Sequence, residues 1–300
     1  MPGKIKRVRK LPALPQRPAD SNKGTFGRVL IVGGSLGMMG AVGLSANAAL
    51  RGGAGLVEFA APACVQQSIA TLCPCAISTS LACKPDGQLD SSSLPQLHRQ
   101  MERADVIAIG PGMGVGIVQQ NMVQMALEQN KPVVIDADGL NNLAKLTNWP
   151  TIRRCSLVMT PHPGEFSRLT GLAIKDIQAD REKVATRTAE QWSRQSKTPQ
   201  AGPLVLLLKG HGTVVTDGGK TYVNQTGNPG MASGGTGDVL TGLIAAFVSQ
   251  HLSPFDAACL ATYCHGLSGD LAAAKLGQVS LIATDLIDFL PQAIMKSQQG

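Results

Sequence analysis

Short apolar runs alternate along the chain with longer segments rich in Ala and Leu. The runs span 28–32, 56–59, 105–109, 132–135, 156–159 and 204–208. Most of them lack polar alternation, which is typical of strands buried on both faces of a parallel sheet. The longer segments predict helices at 40–50, 115–129, 174–196, 238–250, 254–276 and 283–295. This order predicts an α/β fold whose mostly parallel central sheet has helices on both faces.

The segment 212–224 departs from this pattern. Two short strands, 213–216 and 221–224, flank the turn Asp217-Gly218-Gly219 and predict a hairpin. Because it follows the last parallel run, we expect the hairpin at one edge of the sheet. No linker divides the body, so we predict one domain, residues 23–300, preceded by a basic, proline-rich arm, residues 1–22.

The formal net charge of +7 comes from the arm and the few residues that follow it. Residues 1–28 contain eight of the 27 basic side chains and one of the 20 acidic ones, so the rest of the chain is neutral. A basic arm on a neutral body favours a solvated or partner-contacting segment over a DNA-binding face. With only 3% aromatic residues, few rings are available for base stacking. We therefore expect no nucleic-acid partner.

Several features predict a soluble cytoplasmic protein without a membrane partner. No apolar stretch reaches the roughly 18 residues that a bilayer span needs. Residues 1–18 lack the apolar core of a secretion signal. The seven cysteines are odd in number and form no paired CxxC spacing, which favours reduced thiols.

The most informative segment reads GNPGMASGGTGD, at 227–238, and an apolar helix follows at once. Glycines permit close backbone approach, and the first N–H groups of a helix bind anions such as phosphate. We expect four residues to form this anion site: Gly234, Gly235, Thr236 and Gly237. Asp238 lies in the first helical turn, where its carboxylate can act as a general base or cap the helix. The spacing fits both roles.

Other candidates follow strand ends, where ligands of open α/β sheets bind. The segment GGSLGMMGAVG at 33–43 lacks the GxGxxG spacing of a dinucleotide fingerprint and fits a tight turn that contacts a ligand. The segment GPGMG at 110–114 ends another strand at the same rim. Asp136 and Asp138 stand at the end of the strand 132–135. Either one faces solvent and Mg²⁺ through water while the other holds the loop, or both have structural turn roles.

Two further motifs carry polar side chains. In TPHPGE, at 160–165, two prolines restrict the backbone of His162, which favours a ligand contact over an ordinary loop histidine. Glu165 either caps the following helix or contacts a hydrated cation. In KGHGT, at 209–213, the backbone and Lys209 fit a nucleotide phosphate or base, although isolated lysines at strand ends are often only solvated. His265 belongs to no recognisable motif, so its place in the sequence indicates only packing or a surface position.

Seven motifs in this order resemble the ADP/ATP-dependent NAD(P)H-hydrate dehydratases, a carbohydrate-kinase-like family with a ribokinase-type fold. They are KGTFGRVLIVGGS, GAVGLSANAALRGGAGLV, IGPGMG, VIDADGLN, TPHPGE, KGHGT and NPGMASGGTGD, between Lys23 and about Leu290. The resemblance implies a three-layer sandwich and a repair reaction in which the S epimer of NADHX or NADPHX, hydrated at ring carbon 6, is dehydrated to NADH or NADPH. A phosphoryl group passes from the nucleotide to the ring hydroxyl and leaves as phosphate. Family habit favours ADP over ATP as donor, with AMP as product, and a homotetramer.

The resemblance also assigns roles by motif, with Asp238 as the base. The hydrate would contact Ala41, Gly112 or Gly114, His162 and Asp238. The adenine nucleotide would contact Lys209, Gly210, His211, Gly212, Thr213 and Gly237. Mg²⁺ is the expected metal, with Glu165 and Asp136 as ligands through water.

Two alternatives remain at this point. A small-molecule kinase of the same fold, acting on a vitamin precursor or sugar, resembles its relatives in an N-x-x-E element. His162 replaces that Asn here while Glu165 is kept, which favours the dehydratase. A nucleotide-sensing or nucleic-acid-associated protein would bind through the arm and lose its partner steeply with salt. Many relatives carry an upstream epimerase domain, and the 22 residues before Lys23 are too few for one, so we expect a separate epimerase.

Overall fold

The computed structural model describes residues 5–198 and 201–299, so Lys4 of the basic arm lies outside the described residues. The strands are β1 (Lys6–Arg7), β2 (Arg28–Val32), β3 (Leu56–Pro62), β4 (Ile77–Leu81), β5 (Val106–Ile109), β6 (Val133–Ile135), β7 (Leu157–Met159), β8 (Leu204–Leu208), β9 (Val214–Thr216) and β10 (Lys220–Val223). The helices are α1 (Met39–Arg51), α2 (Ala63–Leu72), α3 (Leu94–Arg103), α4 (Ile117–Leu127), α5 (Asp138–Leu143), α6 (Trp149–Ile152), α7 (Pro163–Thr170), α8 (Ile174–Ala179), α9 (Arg181–Gln195), α10 (Thr236–Ser249), α11 (Pro254–Leu276) and α12 (Ala283–Ser297).

The strands form one sheet in the order β1-β10-β9-β8-β7-β6-β5-β2-β3-β4. Strands β2 to β8 are parallel, whereas β9 pairs antiparallel with both β8 and β10. The mostly parallel sheet with a hairpin near one edge is thereby confirmed. The strand order reverses between β2 and β5, which makes the carboxyl ends of these two strands a topological switch point. Ligands of open α/β sheets bind at such a crevice.

Both faces of the sheet are covered by apolar side chains. Along β2, Val29 and Ile31 belong to one buried cluster while Leu30 and Val32 belong to the other. This alternation follows from the two-residue period of a strand and explains why the run has no polar positions. Helices α1, α10, α11 and α12 contribute to the first cluster, and α3, α4 and α9 to the second. The expected three-layer sandwich is therefore confirmed.

The structure differs from the predicted elements in two respects. The sequence pattern did not predict the strands β1 and β4 or the helices α2, α3, α5 and α6. The single helix predicted at 174–196 is wrong, because the backbone of Asp180 is not helical (φ −152°, ψ 72°) and separates α8 from α9. Its side chain accepts a hydrogen bond from the Lys183 N–H and caps α9. Within the described ranges, no helix is both long and apolar enough to cross a membrane.

Part of the N-terminal arm packs against the domain. Strand β1 pairs in parallel with β10, and Arg7 forms an ion pair of 2.5 Å with Glu182. The Arg17 guanidinium lies 3.9 Å from the centroid of the Phe26 ring and donates a hydrogen bond to the Gly53 carbonyl. Strand β1 and Arg17 therefore tie the arm to its own chain, while most of the residues 5–22 are exposed. The domain boundary at residue 23 stays a prediction.

Candidate active site

The loops after β2 and β5 meet at the switch point through their backbones. The Gly34 N–H donates to the Pro111 carbonyl at 2.9 Å, and a Cβ at Gly33 would overlap the same carbonyl oxygen. At Gly112 the backbone is left-handed (φ +58°), and a Cβ there would lie 3.2 Å from the Ala41 Cβ. Two of the residues predicted to contact substrate, Ala41 and Gly112, are therefore neighbours.

Gly114, the other candidate of the GPGMG segment, is held by α5. Its N–H donates to Asp138 Oδ2 at 3.0 Å, and Asn142 Nδ2 donates to its carbonyl at 2.8 Å. Asp138 is thus the carboxylate that holds the loop. Asn142 was not predicted from the sequence, although its spacing of four residues from Asp138 on a helix places both on one face.

Asp136 is buried and paired. Its side chain is 1% exposed, Oδ1 accepts a hydrogen bond from Lys209 Nζ at 2.6 Å, and Oδ2 accepts one from Thr241 Oγ1 at 2.7 Å. Burial alone would raise the pKa of Asp136, but the Lys209 charge and these hydrogen bonds outweigh burial and lower it. Asp136 therefore does not face solvent, and the interpretation of Lys209 as an isolated solvated lysine is wrong.

Asp238 lies in the first turn of α10 without capping it. The N-cap residue is Gly235, whose left-handed backbone (φ +91°) turns the chain into the helix, and no side chain makes the cap hydrogen bond. Burial, followed by the negative charges of Asp136 and Asp138, raises the pKa of Asp238 to about 7, against the opposing effect of Lys209. The capping interpretation is wrong, and the carboxylate has the pKa of a general base.

The predicted anion site is formed by backbone rather than by side chains. Thr236 Oγ1 donates to the Met231 and Ser233 carbonyls, so this hydroxyl is engaged within the loop. A Cβ at Gly237 would lie 3.4 Å from Lys209 Nζ, which places the first turn of α10 directly over the ammonium group. The start of α10 and a lysine are thus neighbours, an arrangement that suits phosphate, and the anion site stays a prediction.

His162 is the N-cap of α7. Its Nδ1 accepts hydrogen bonds from the N–H groups of Gly164 at 3.0 Å and Glu165 at 3.4 Å, and Glu165 Oε2 accepts one from the His162 N–H at 2.8 Å. Half of the imidazole side chain is exposed, and Nε2 lies 3.4 Å from Glu165 Oε1. Burial, then the charges of Lys209 and Arg168, lowers the pKa of His162. The ring caps a helix with one nitrogen, its other nitrogen lies beside Glu165, and the contact of His162 with a ligand stays a prediction.

Glu165 borders the same cluster. Its Oε2 lies 3.9 Å from Lys209 Nζ, and burial raises its pKa to about 7 although Lys209 lowers it. Asp136, Glu165 and Asp238 thus surround one lysine. A charged lysine in such a group stabilises anionic ligands as well as its neighbouring carboxylates.

The KGHGT segment forms a tight loop beside the cluster. Thr213 Oγ1 donates to the Gly210 carbonyl at 2.9 Å, while Gly210 (φ +145°) and Gly212 (φ +63°) adopt positive φ values. His211 is exposed at its tip. Of the five residues of this segment, Lys209 reaches the carboxylates. All six predicted nucleotide contacts, these five and Gly237, stay predictions.

Two side chains that hold these loops escaped the sequence analysis. Arg181 donates to the carbonyls of Leu208 at 2.9 Å and Lys209 at 3.1 Å. His265 Nε2 lies 2.8 Å from the Thr236 carbonyl oxygen, and burial lowers the pKa of this histidine to about 4. His265 is therefore neutral and donates to the anion loop from α11. No local spacing predicts either contact, because each partner lies more than 25 residues away along the chain.

Comparison with known proteins identifies the family. The family model described as NAD(P)H-hydrate dehydratase matches residues 29–292. The bifunctional NAD(P)H-hydrate repair enzyme Nnr of Moorella thermoacetica is 44% identical over 288 residues, which cover 95% of this chain and 52% of that protein. The chain thus spans about half the length of this relative.

Two solved structures share the fold. A ribokinase-like superfamily protein of Enterococcus faecalis superimposes with a TM-score of 0.80 at 29% identity, covering 99% of this chain and 97% of that chain. The ADP/ATP-dependent NAD(P)H-hydrate dehydratase of Bacillus subtilis, co-crystallized with ATP/Mg²⁺, gives a TM-score of 0.78 at 31% identity and covers 95% of each chain. The ribokinase-like expectation is confirmed, and the chain belongs to the NAD(P)H-hydrate dehydratase family.

Proposed function

We propose that the protein repairs hydrated nicotinamide dinucleotides by converting the S epimer of NADHX or NADPHX to NADH or NADPH, with ADP as the preferred phosphoryl donor. The observation that supports this most directly is the Asp238 carboxyl group. Its pKa is about 7, and it lies in the first turn of a helix whose N–H groups are not capped by a side chain. Family membership supplies the substrate class.

In the first step, Asp238 accepts the proton of the ring hydroxyl as the hydroxyl oxygen attacks the terminal phosphorus of the nucleotide. The bond from this phosphorus to its bridging oxygen breaks, and AMP leaves when the donor is ADP. Charge develops on the transferred phosphoryl oxygens, where the N–H groups of Gly237 and its neighbours and the Lys209 ammonium stabilise it. Lys209 retains its proton because Asp136 pairs with it.

In the second step, the phosphorylated carbon loses phosphate. The electron pair of the ring nitrogen assists cleavage of the carbon–oxygen bond, and the neighbouring ring carbon then loses a proton. The sum is hydrated NADH and ADP converted to NADH, AMP and phosphate. Phosphorylation makes the hydroxyl a good leaving group, which accounts for a nucleotide donor in a dehydration.

The carboxylates fit a hydrated Mg²⁺ better than a directly bound one. Both oxygens of Asp136 already accept hydrogen bonds, and the described residues contain no group of three or more His, Cys, Asp or Glu that could hold an ion. Mg²⁺ commonly keeps several waters and binds through substrate phosphates. Of the two predicted ligands, Glu165 would therefore hold it through water, whereas Asp136, which is buried and paired with Lys209, does not fit this role. When bound, Mg²⁺ would neutralise charge on the phosphates of the donor. A separate epimerase is the proposed source of the S epimer.

The test compares the wild-type protein with Asp238→Asn in the presence of hydrated NADH, Mg²⁺ and either ADP or ATP, following recovery of dihydronicotinamide absorbance. We expect Asp238→Asn to bind nucleotide but to lose about 10²–10⁴-fold in turnover, the usual contribution of a general base. Asp176→Asn, on the exposed first turn of α8, is the matched control and should be unaffected. Retention of most turnover by Asp238→Asn contradicts the mechanism, and phosphorylation of an added alcohol with the hydrate untouched indicates a kinase.

A further inference from the structure

A cavity that is separate from the cluster around Lys209 borders the candidate active site at Gly114. Its volume is about 510 Å³, within the roughly 300–1,000 Å³ typical of small-molecule sites. The loop that follows β5 forms one wall, the residues Ser35 and Leu36 after β2 form another, and the turn 84–89 between β4 and α3 forms the third. Apart from Gly114, the residues of this cavity have no part in the mechanism above.

The turn 84–89 presents one cation to the cavity. The Lys84 N–H donates to the Gln88 carbonyl at 2.7 Å, and the Gly87 N–H donates to the Lys84 carbonyl at 2.9 Å, so the backbone of the turn is held by its own hydrogen bonds. The nearby Asp86 carboxylate accepts a hydrogen bond from the Gln88 N–H. Lys84 is exposed and forms no ion pair within the ranges that the structure describes, which leaves its ammonium group available to an anionic ligand.

The other two walls carry apolar side chains that are open to solvent. Val115 is 53% exposed, Ile117 is 71% exposed and Leu36 is 55% exposed, and all three line this cavity. Single exposed apolar side chains are ordinary, but several around one cavity indicate a ligand or partner with an apolar face. A ligand that suits all three walls has a flat apolar ring at one end and a phosphate at the other.

The substrate of the proposed function has this chemistry. The reacting ring of this substrate must lie near Asp238, and Ala41 and Gly112 are its predicted contacts. The rest of the bound dinucleotide must therefore extend out of the site past its rim. We propose, on the basis of that function, that this cavity binds the adenosine half of the dinucleotide, with its base against Val115 and Ile117 and one of its phosphates beside Lys84. The cavity thereby distinguishes dinucleotides from mononucleotides.

The experiment compares hydrates of NADH, of NADPH and of reduced nicotinamide mononucleotide, which lacks the adenosine half. Lys84→Gln should lower kcat/KM about tenfold for both dinucleotide hydrates, mainly through KM, because a charge-assisted hydrogen bond is lost. The mononucleotide hydrate should be unaffected. A larger loss with the NADPH hydrate assigns the contact to the 2′-phosphate, and equal losses assign it to the pyrophosphate. Lys84→Arg should retain activity, and Lys175→Gln, an exposed lysine on α8, is the control.

A second variant tests the apolar wall. Ile117→Ser should show the same selective loss for dinucleotides. A change of oligomeric state in this variant, measured by sedimentation, with an unaltered preference for dinucleotides, would mean that the wall contacts a second copy of the chain and would overturn the proposal. Equal losses of kcat/KM with all three hydrates would overturn the proposal as well. So would an unchanged kcat/KM for the dinucleotide hydrates in Lys84→Gln.

Binding provides an independent measurement. Titration of NADH, NADPH and reduced nicotinamide mononucleotide, followed by dihydronicotinamide fluorescence, makes the same comparison without turnover. Lys84→Gln should weaken the two dinucleotides alone. If the wild-type protein dehydrates none of the hydrates, the proposed function is wrong, while this titration still decides whether the cavity recognises the adenosine half.

Discussion

Burial and charge act in opposite directions on the ionisable side chains around Lys209. Burial would lower the pKa of Lys209, but the Asp136 and Glu165 carboxylates outweigh burial and raise it, so the lysine is charged. Asp136 is ionised with it. Asp238 and Glu165, which lack so close a partner, have pKa values of about 7. Environments that separate the pKa values of neighbouring groups also separate their roles: Asp136 holds the Lys209 cation, and Asp238 is the proposed proton acceptor.

The first prediction concerns pH. Because Asp238 accepts a proton only when ionised, kcat/KM for hydrated NADH should fall as the pH falls through about 7 and should be constant above it. A pH profile of initial rates measures this. Glu165 also has a pKa of about 7, so Glu165→Gln is the control and should keep the acidic limb. Loss of that limb in Glu165→Gln would assign it to Glu165 instead.

At the scale of elements, two helices begin near the cluster and use their free N–H groups differently. In α7 the His162 ring accepts the N–H groups of Gly164 and Glu165, so these donors are satisfied within the protein. In α10 no side chain makes the cap hydrogen bond, and the donors at its start face the region of Lys209. The difference between the caps is the reason for proposing the anion site at α10 rather than at α7.

A pair of substitutions separates the two roles of His162. Asn is among the best N-cap residues, so His162→Asn should keep the stability of α7, whereas His162→Ala should lower the free energy of unfolding by about 1 kcal/mol. Both variants should lose turnover, because both lack the open Nε2. Urea denaturation and steady-state rates measure the two effects. Full turnover in His162→Asn would show that the histidine acts only as a cap.

The contact between α1 and α10 provides the next prediction. A Cβ at Gly242 would overlap the Ser45 carbonyl, and Ser45 Oγ donates to the Asp238 carbonyl at 2.9 Å. Gly242→Ala should therefore cost about 1–3 kcal/mol of unfolding free energy and reduce turnover by displacing α10. Gly40→Ala, also in a helix but with no atom within 4 Å of its Cβ, should leave stability unchanged or raise it by up to about 1 kcal/mol. Similar melting temperatures for the two variants would contradict this explanation.

At the scale of the whole molecule, the candidate active site and the N-terminal arm lie at different places on the sheet. The site follows the carboxyl ends of the central strands, whereas β1 of the arm covers the edge of β10. An uncovered edge strand exposes unpaired backbone groups and promotes association. The arm therefore has a structural role that its basic composition did not reveal.

Deletion of residues 1–20 tests this role. The truncated protein should keep nearly full turnover, but it should lose about 2 kcal/mol of unfolding free energy, because the strand pairing and the Arg17 contacts with Phe26 and Gly53 disappear. Thermal unfolding and rates at a temperature where both forms are folded measure the two effects, and Arg17→Ala alone should show a part of the loss. A large drop in turnover of the folded truncated protein would place the arm at the active site.

The local sequence was sufficient to predict those elements that are determined by interactions between residues close together in the chain. Apolar runs without polar alternation predicted the buried strands β2 and β5 to β8, and glycines at strand ends predicted the rim where the loops meet. It was also sufficient for the start of α10, since the GTGD segment precedes an apolar helix. The polar strand β4 and the break at Asp180 escaped prediction, because a partner strand and a capping hydrogen bond decide them.

The order of motifs along the chain determined the fold class, the family and most candidate residues, because each motif combines a strand end with a turn that glycine or proline makes possible. Only the tertiary structure decided the partners and the ionisation of each carboxylate. Asp136 accepts hydrogen bonds from Lys209, 73 residues away, and from Thr241, 105 residues away. These contacts bury one charge pair beside Asp238. Ionisation depends on burial and on neighbouring charges in space, and neither quantity is a property of a local segment.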